Sequence, residues 1–85
     1  MSQKYKLAIV HWVDSSRYTG WERLEHLQST PKKCISVGFI IYHDKETISV
    51  APHVSDSPAQ ACGTMVIPKL AVTSIKYLGS TWEPQ

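Results

Sequence analysis

Gly63-Thr64-Met65-Val66-Ile67-Pro68-Lys69-Leu70-Ala71-Val72-Thr73-Ser74-Ile75-Lys76-Tyr77-Leu78 reads as a short strand, one tight turn and another strand. The turn falls at Pro68-Lys69-Leu70, because proline fixes φ and removes a ladder donor. The flanking residues are β-branched or aromatic, which suits a pleated, half-buried surface. Two strands joined by a single turn are the closing element of a small barrel.

Upstream, Tyr5 to Val13 (YKLAIVHWV) reads as the first strand. Tyr5, Leu7, Ile9 and Val13 share one parity, and Ala8, Val10 and Trp12 the other. Both faces are partly apolar, so the strand is expected to be covered on each side. Asp14 to Tyr18 breaks the pattern with turn formers. Thr19-Gly20-Trp21-Glu22 fits a capping box, and Trp21, Leu24 and Leu27 follow at helical spacing. A short helix is expected from Gly20 to about Gln28, ended by Pro31 and packed on the barrel by that stripe.

Cys34 to His43 is the second strand, with Gly38 marking a sharp bend or a close backbone approach. Asp44-Lys45-Glu46 is a hairpin turn. Thr47 to Val54 is the third strand, weakened at Pro52, and Ser55 to Cys62 is a polar loop. Residues 79–85 form a short tail, in which Trp82 is the residue expected to dock. Residues 1–85 are read as one domain. Ile35, Val37, Phe39, Ile41, Ile48, Val50, Val66 and Ile75 are expected to form much of its core.

The 85 residues carry nine basic and seven acidic groups, a formal charge of +2, with 42% hydrophobic residues. This describes a folded chain with a small core. The charge is too weak for a dedicated duplex-DNA stripe and allows a nucleotide-sized anion. A core this small points to self-association, with free edge strands as the route. No signal-peptide pattern and no apolar run long enough to span a membrane is seen, so a cytoplasmic location is expected. Cys34 and Cys62 are then read as free, buried structural thiols.

Catalysis has little support. No spacing singles out a pair between the two cysteines and His11, His26, His43 or His53, and no nucleophile elbow exists. No Cys-x-x-Cys or His-x-x-x-His suggests a metal, and no clustered glycines suggest a phosphate loop. The chain is read as non-enzymatic, without cofactor or metal.

Candidate ligand-binding residues lie where the first strand ends. Trp12, Asp14, Arg17, Tyr18 and Trp21 concentrate aromatic rings, a carboxylate and a guanidinium. They could stack a base and pair a phosphate. For Trp12 and Trp21 a plain core role competes, and for Asp14 a turn role. His53 and Ser55 flank or open the polar loop, where Asp56, Ser57 and Gln60 add hydrogen-bonding groups. Lys69 sits in the closing turn, where a basic residue could meet an anion at a subunit boundary.

Met65-Val66-Ile67-Pro68-Lys69-Leu70-Ala71-Val72 resembles the closing segment of bacterial Sm-like RNA chaperones. In that family the helix precedes the first strand, and an aromatic-basic-His triplet fills the turn; here only Lys69 matches. Trp12-Val13-Asp14-Ser15, Gly20-Trp21, Ser36-Val37-Gly38-Phe39-Ile40-Ile41 and Ile67-Pro68-Lys69 resemble a family of small bacteriophage-encoded proteins. The resemblances imply a mainly β fold, a five-stranded SH3-like or Sm-like barrel with one short helix between the first and second strands. By analogy with compact phage proteins that sequester nucleotide signals, they imply a homo-oligomer in the host cytoplasm. It would bind a cyclic nucleotide or ADP-ribose derivative of host antiviral defence at subunit interfaces. An RNA-binding ring is the alternative, and an inhibitor of a host enzyme the second alternative.

Overall fold

The computed structural model describes residues 3–15, 20–27 and 30–84. Their regular elements are strand β1 (Tyr5–Asp14), 3-10 turn η1 (Leu24–His26), β2 (Lys32–His43), β3 (Thr47–Ala51), β4 (His53–Asp56), β5 (Ala59–Cys62), β6 (Met65–Pro68), 3-10 turn η2 (Lys69–Ala71) and β7 (Val72–Trp82). The chain is mainly β. Five strands make one sheet in the order β6-β3-β2-β1-β7, and β4 pairs with β5 as a separate hairpin. Every pairing is antiparallel.

The two outermost strands of the sheet, β6 and β7, are consecutive in sequence and joined by the three residues of η2. Four strand spacings in a flat sheet separate its edges by about 19 Å. A fully extended link from Pro68 to Val72 reaches only about 14 Å, and a 3-10 turn only about 8 Å. The sheet must therefore curl at this end. Ala71 and Val72 accordingly pack against the core, together with Trp12 of β1. The Lys69 N–H donates to the Glu46 carbonyl at 2.8 Å, which ties η2 to the β2–β3 turn.

The curl defines an inner face. Ala8, Val10, Ile40, Ile48, Val50 and Ile67 form the buried cluster, and Ala51, outside that cluster, is buried as well. A fully buried aliphatic side chain contributes roughly 1.5–3 kcal/mol, so this is a small core. Gly38 shows the close approach expected of it. A Cβ there would lie 2.5 Å from the Ala51 carbonyl oxygen and 2.7 Å from its carbon. The backbone of β3 thus folds against β2 at the one position where no side chain intervenes.

Several expectations are corrected. Of the expected core, Ile48 and Val50 are buried. Ile35 and Val37 are exposed on the outer face, and Phe39 and Ile41 are only half-buried. Opposed antiparallel residues share a face, so Val10 with Ser36 and Ala8 with Gly38 put the small residues of β2 inside. The more apolar parity of β2 thus faces outward over Ile35 and Val37, and a one-residue change of parity moves the whole set to the other side. On β6, Ile67 is buried and Val66 exposed. On β7, Ile75 is exposed.

The expected helix is reduced to the three-residue η1, which has no side-chain cap and no buried residue. Arg23 and Leu27, its flanking residues, are extended. Trp21 and Leu24 stand fully exposed, and Leu27 is also exposed. So short a helix cannot recover its nucleation cost without tertiary packing. The segment read as a polar loop, Ser55 to Cys62, holds the end of β4 and all of β5, which pair His53 with Cys62, Val54 with Ala61, Ser55 with Gln60 and Asp56 with Ala59. The low β propensity of Ala59-Gln60-Ala61 hid this hairpin. Pro52 splits the long third strand into β3 and β4.

Strand β7 runs through Trp82 and carries a two-residue bulge: Lys6 pairs with Thr81, but Ala8 pairs with Tyr77. Gly79 in this bulge has φ +84°, a conformation open to glycine. Beyond it Trp82 docks, with ring centroids 5.4 Å from Tyr5 and 6.1 Å from Phe39. Its indole N–H donates to Asp56 Oδ1 at 2.7 Å, tying the β4–β5 hairpin to the sheet.

Gly38→Ala is expected to destabilise the fold by about 1–3 kcal/mol, because the added methyl meets backbone that cannot rotate away. Gly20→Ala, where nothing lies within 4 Å, should change stability little. Urea denaturation of both variants checks this; equal midpoints would contradict the close β2–β3 approach.

Candidate ligand groove

The open end of the inner face is lined by Gln3, Lys4, Tyr5, Lys6, Ile40, Ile41, Tyr42, His43 and Tyr77, around a groove of about 410 Å³. That volume falls within the range of small-molecule sites, about 300–1,000 Å³. Local sequence places each group. Lys4 and Lys6 are two apart and share the parity of Ala8, so they continue its inner face beyond the core. Tyr77 stands opposite Ala8 and therefore faces the same side. Ile40 of β2 forms the apolar floor, next to the core.

The Lys6 ammonium lies 5.3 Å from the centroid of the Tyr77 ring. At an exposed site this cation–π contact is worth about 0.5–1 kcal/mol. It also holds the ammonium over a ring that is 53% exposed. A charged donor and an aromatic face are thus presented side by side. Lys4 and His43 add a second cation and an imidazole on the same rim.

Tyr42 is held in place by its neighbour. Its hydroxyl donates to Asp44 Oδ2 at 2.8 Å, while Asp44 Oδ1 accepts the N–H groups of Glu46 and Thr47, each at 2.8 Å. These backbone donors, followed by the Tyr42 hydroxyl, lower the Asp44 carboxyl to about 2. The same hydrogen bond, with the negative charge of Asp44, raises the Tyr42 hydroxyl above its usual 10. Both groups thus keep the protonation states that maintain the turn through the neutral range.

The residues singled out in the sequence are placed elsewhere. Trp12 is half-buried against the core, and its indole N–H donates to Ser36 Oγ at 3.0 Å. Its polar atom is therefore satisfied within the sheet. Asp14 is exposed at the end of β1, opposite Lys32. Arg17 and Tyr18 lie outside the described residues. Trp21 is fully exposed. His53 and Ser55 sit on the β4–β5 hairpin, where the Ser55 hydroxyl donates to the Pro58 carbonyl at 3.3 Å. Lys69 is partly buried in η2. The structure groups His53 with Ser55 on the hairpin and Trp12 with Asp14 along one parity of β1.

The groove residues Lys4, Lys6, His43, Tyr42 and Tyr77 were missed. The i, i+2 spacing of Lys4 and Lys6 was a visible signal. Their meeting with Tyr77 was not, because it depends on the bulged β1–β7 register.

His53 and Cys62 stand directly opposite each other on the hairpin. Both cysteines are free, Cys34 half-buried and Cys62 exposed, which corrects the expectation that both are buried. Among the described residues no three His, Cys, Asp or Glu side chains are grouped as a metal site. Among them, too, no helix is long and apolar enough to cross a membrane. The chain matches no family model, no curated protein and no solved structure.

The Asp44 anchor has a pH signature. Its folded pKa of about 2 lies below the unfolded carboxylate value of about 3.9. Its stabilisation is therefore complete above about pH 4 and is lost as pH falls from about 4 towards 2. An NMR titration of the Asp44 carboxyl should show a midpoint near 2, and Asp44→Ala should flatten the acid limb of the stability curve over that window. A midpoint near 3.9 would contradict the anchoring of Asp44.

Proposed function

We propose that this chain is a non-enzymatic binding module that holds a small anionic nucleotide in the groove at the open end of its curled sheet. The observation that carries the reading is the pairing of Lys6 with the exposed Tyr77 ring, with Lys4 and His43 on the same rim. A nucleotide needs an aromatic or apolar surface for its base and donors for its phosphates. Tyr77, Tyr42 and Ile40 supply the first, and the two lysines the second.

The finer fold within this reading is an SH3-like or Sm-like barrel. The strand order β6-β3-β2-β1-β7 and the 3-10 link between the two edges support it. The reading includes a homo-oligomer. Tyr77 belongs to the sheet-edge strand β7, so a neighbouring subunit on that edge would wall the groove. The phage-type resemblance adds the role, sequestration of a host-defence nucleotide signal. Single-stranded RNA is the second reading. An open groove with tyrosine rings and lysines also suits a stacked base on a phosphate chain.

Calorimetric titration with cyclic nucleotides, ADP-ribose derivatives and short single-stranded RNA tests these readings. Lys6→Ala and Lys4→Ala should each weaken nucleotide binding about ten- to a hundredfold, the cost of a lost charge-assisted contact. Tyr77→Ala should weaken it too, with the fold retained by circular dichroism. Absence of binding to every nucleotide sinks the proposal. Tight, salt-sensitive binding to RNA in its place selects the second reading.

A further inference from the structure

The β1–β2 ladder ends at the pair Leu7–Phe39, although β1 begins at Tyr5 and β2 runs on to His43. Beyond that pair each strand keeps only its other neighbour. Tyr5 and Lys6 pair with Trp82 and Thr81 of β7, while Tyr42 and His43 pair with Ser49 and Ile48 of β3. A register shift falls at the same level on both sides, between Lys6 and Ala8 against β7 and between Ile40 and Tyr42 against β3. A bulge bends its strand and sharpens the local twist. The sheet therefore forks here, with β7-β1 as one arm and β2-β3-β6 as the other.

The groove is this fork. An intact sheet face is lined by alternate residues. Residues 3–6 and 40–43 instead line the groove consecutively, so both parities are present. Its walls thus include the main-chain edges of the two strands. Successive residues of an antiparallel strand turn their N–H and C=O groups to alternate sides. One of Tyr5 and Lys6, and one of Tyr42 and His43, therefore points both groups into the fork, where neither edge has a strand partner.

Resting on the nucleotide reading of this groove, we propose that the fork reads the base of the nucleotide through main-chain N–H and C=O groups, while Lys4 and Lys6 hold the phosphates. Phosphate oxygens accept hydrogen bonds and are matched by the two ammonium groups. A main-chain edge offers a donor and an acceptor side by side, and phosphate oxygens use only the donor. The edge of a nucleobase carries the complementary pair, an acceptor next to a donor. Tyr77 lines the same groove and offers its ring to the face of the base. The fork thus selects nucleotides whose base presents adjacent donor and acceptor groups.

Hydrogen exchange followed by NMR tests this on the intact chain, free and with cyclic AMP or ADP-ribose. In the free protein the fork-facing amides of residues 3–6 and 40–43 should exchange faster than those of Ala8 and Val10 within the ladder. Protection there without ligand overturns the fork. With either nucleotide bound, the same amides should become protected. Binding without that protection overturns main-chain reading and leaves the nucleotide reading of the groove intact, whereas binding of neither probe overturns main-chain reading outright. A cyclic AMP analogue lacking the exocyclic amine should bind about tenfold more weakly, because a main-chain carbonyl loses its partner. Equal affinity for the two compounds contradicts the proposal. Lys6→Ala should weaken both compounds by the same factor and preserve their ratio. A ratio that disappears with the lysine assigns the discrimination to a side chain and also overturns the proposal.

Discussion

Three residues, Lys69–Ala71, join the two opposite edges of a five-stranded sheet. Most of the structure follows from that link. A connection of about 8 Å cannot span a flat sheet about 19 Å wide, so the sheet curls. The curl makes one face concave and gathers Ala8, Val10, Ile40, Ile48, Val50 and Ile67 within it. It also needs places where the backbone can bend or approach closely. Gly38 provides the contact with Ala51, and Gly79 provides the bulge that turns the end of β7.

The same constraint limits what the chain can bury. A sheet of this size encloses few side chains when it curls, and the interior here is mostly Ile, Val and Ala. Large apolar groups remain exposed on the outer face at Ile35 and Val37, before β2 at Trp21 and Leu24, and at Met65, Val66 and Leu70 around η2. Trp82 covers part of the outer face by stacking on Tyr5 and Phe39.

The inner face changes character along its length. Near η2 it is apolar. At the other end Lys4, Lys6, His43 and Tyr77 take the inward positions, and Tyr42 is held at the rim by Asp44. The groove is therefore a continuation of the core in which cations and rings replace aliphatic chains. Groove and core share one surface, and the Lys6–Tyr77 contact marks the change from one to the other.

Local pattern alone determined much of the secondary structure. β-branched alternation marks β1, β2, β3, β6 and β7, and Pro68 marks the link between the last two. Gly38 announced a close approach, Asp44 a turn and Trp82 a docking point, because each depends on one residue's own geometry or chemistry. Tertiary structure decided the rest. β2 carries its longer apolar run on one parity, and only its pairing with β1 and β3 shows that Ile40 is inside while Ile35 and Val37 are outside. The Trp21-Leu24-Leu27 stripe has helical spacing, but no surface of the described residues buries it. Lys6 and Tyr77 are 71 positions apart, and a bulged register between the first and last strands brings them together. Strand spacing records which residues alternate; which face becomes the interior depends on how the edges meet.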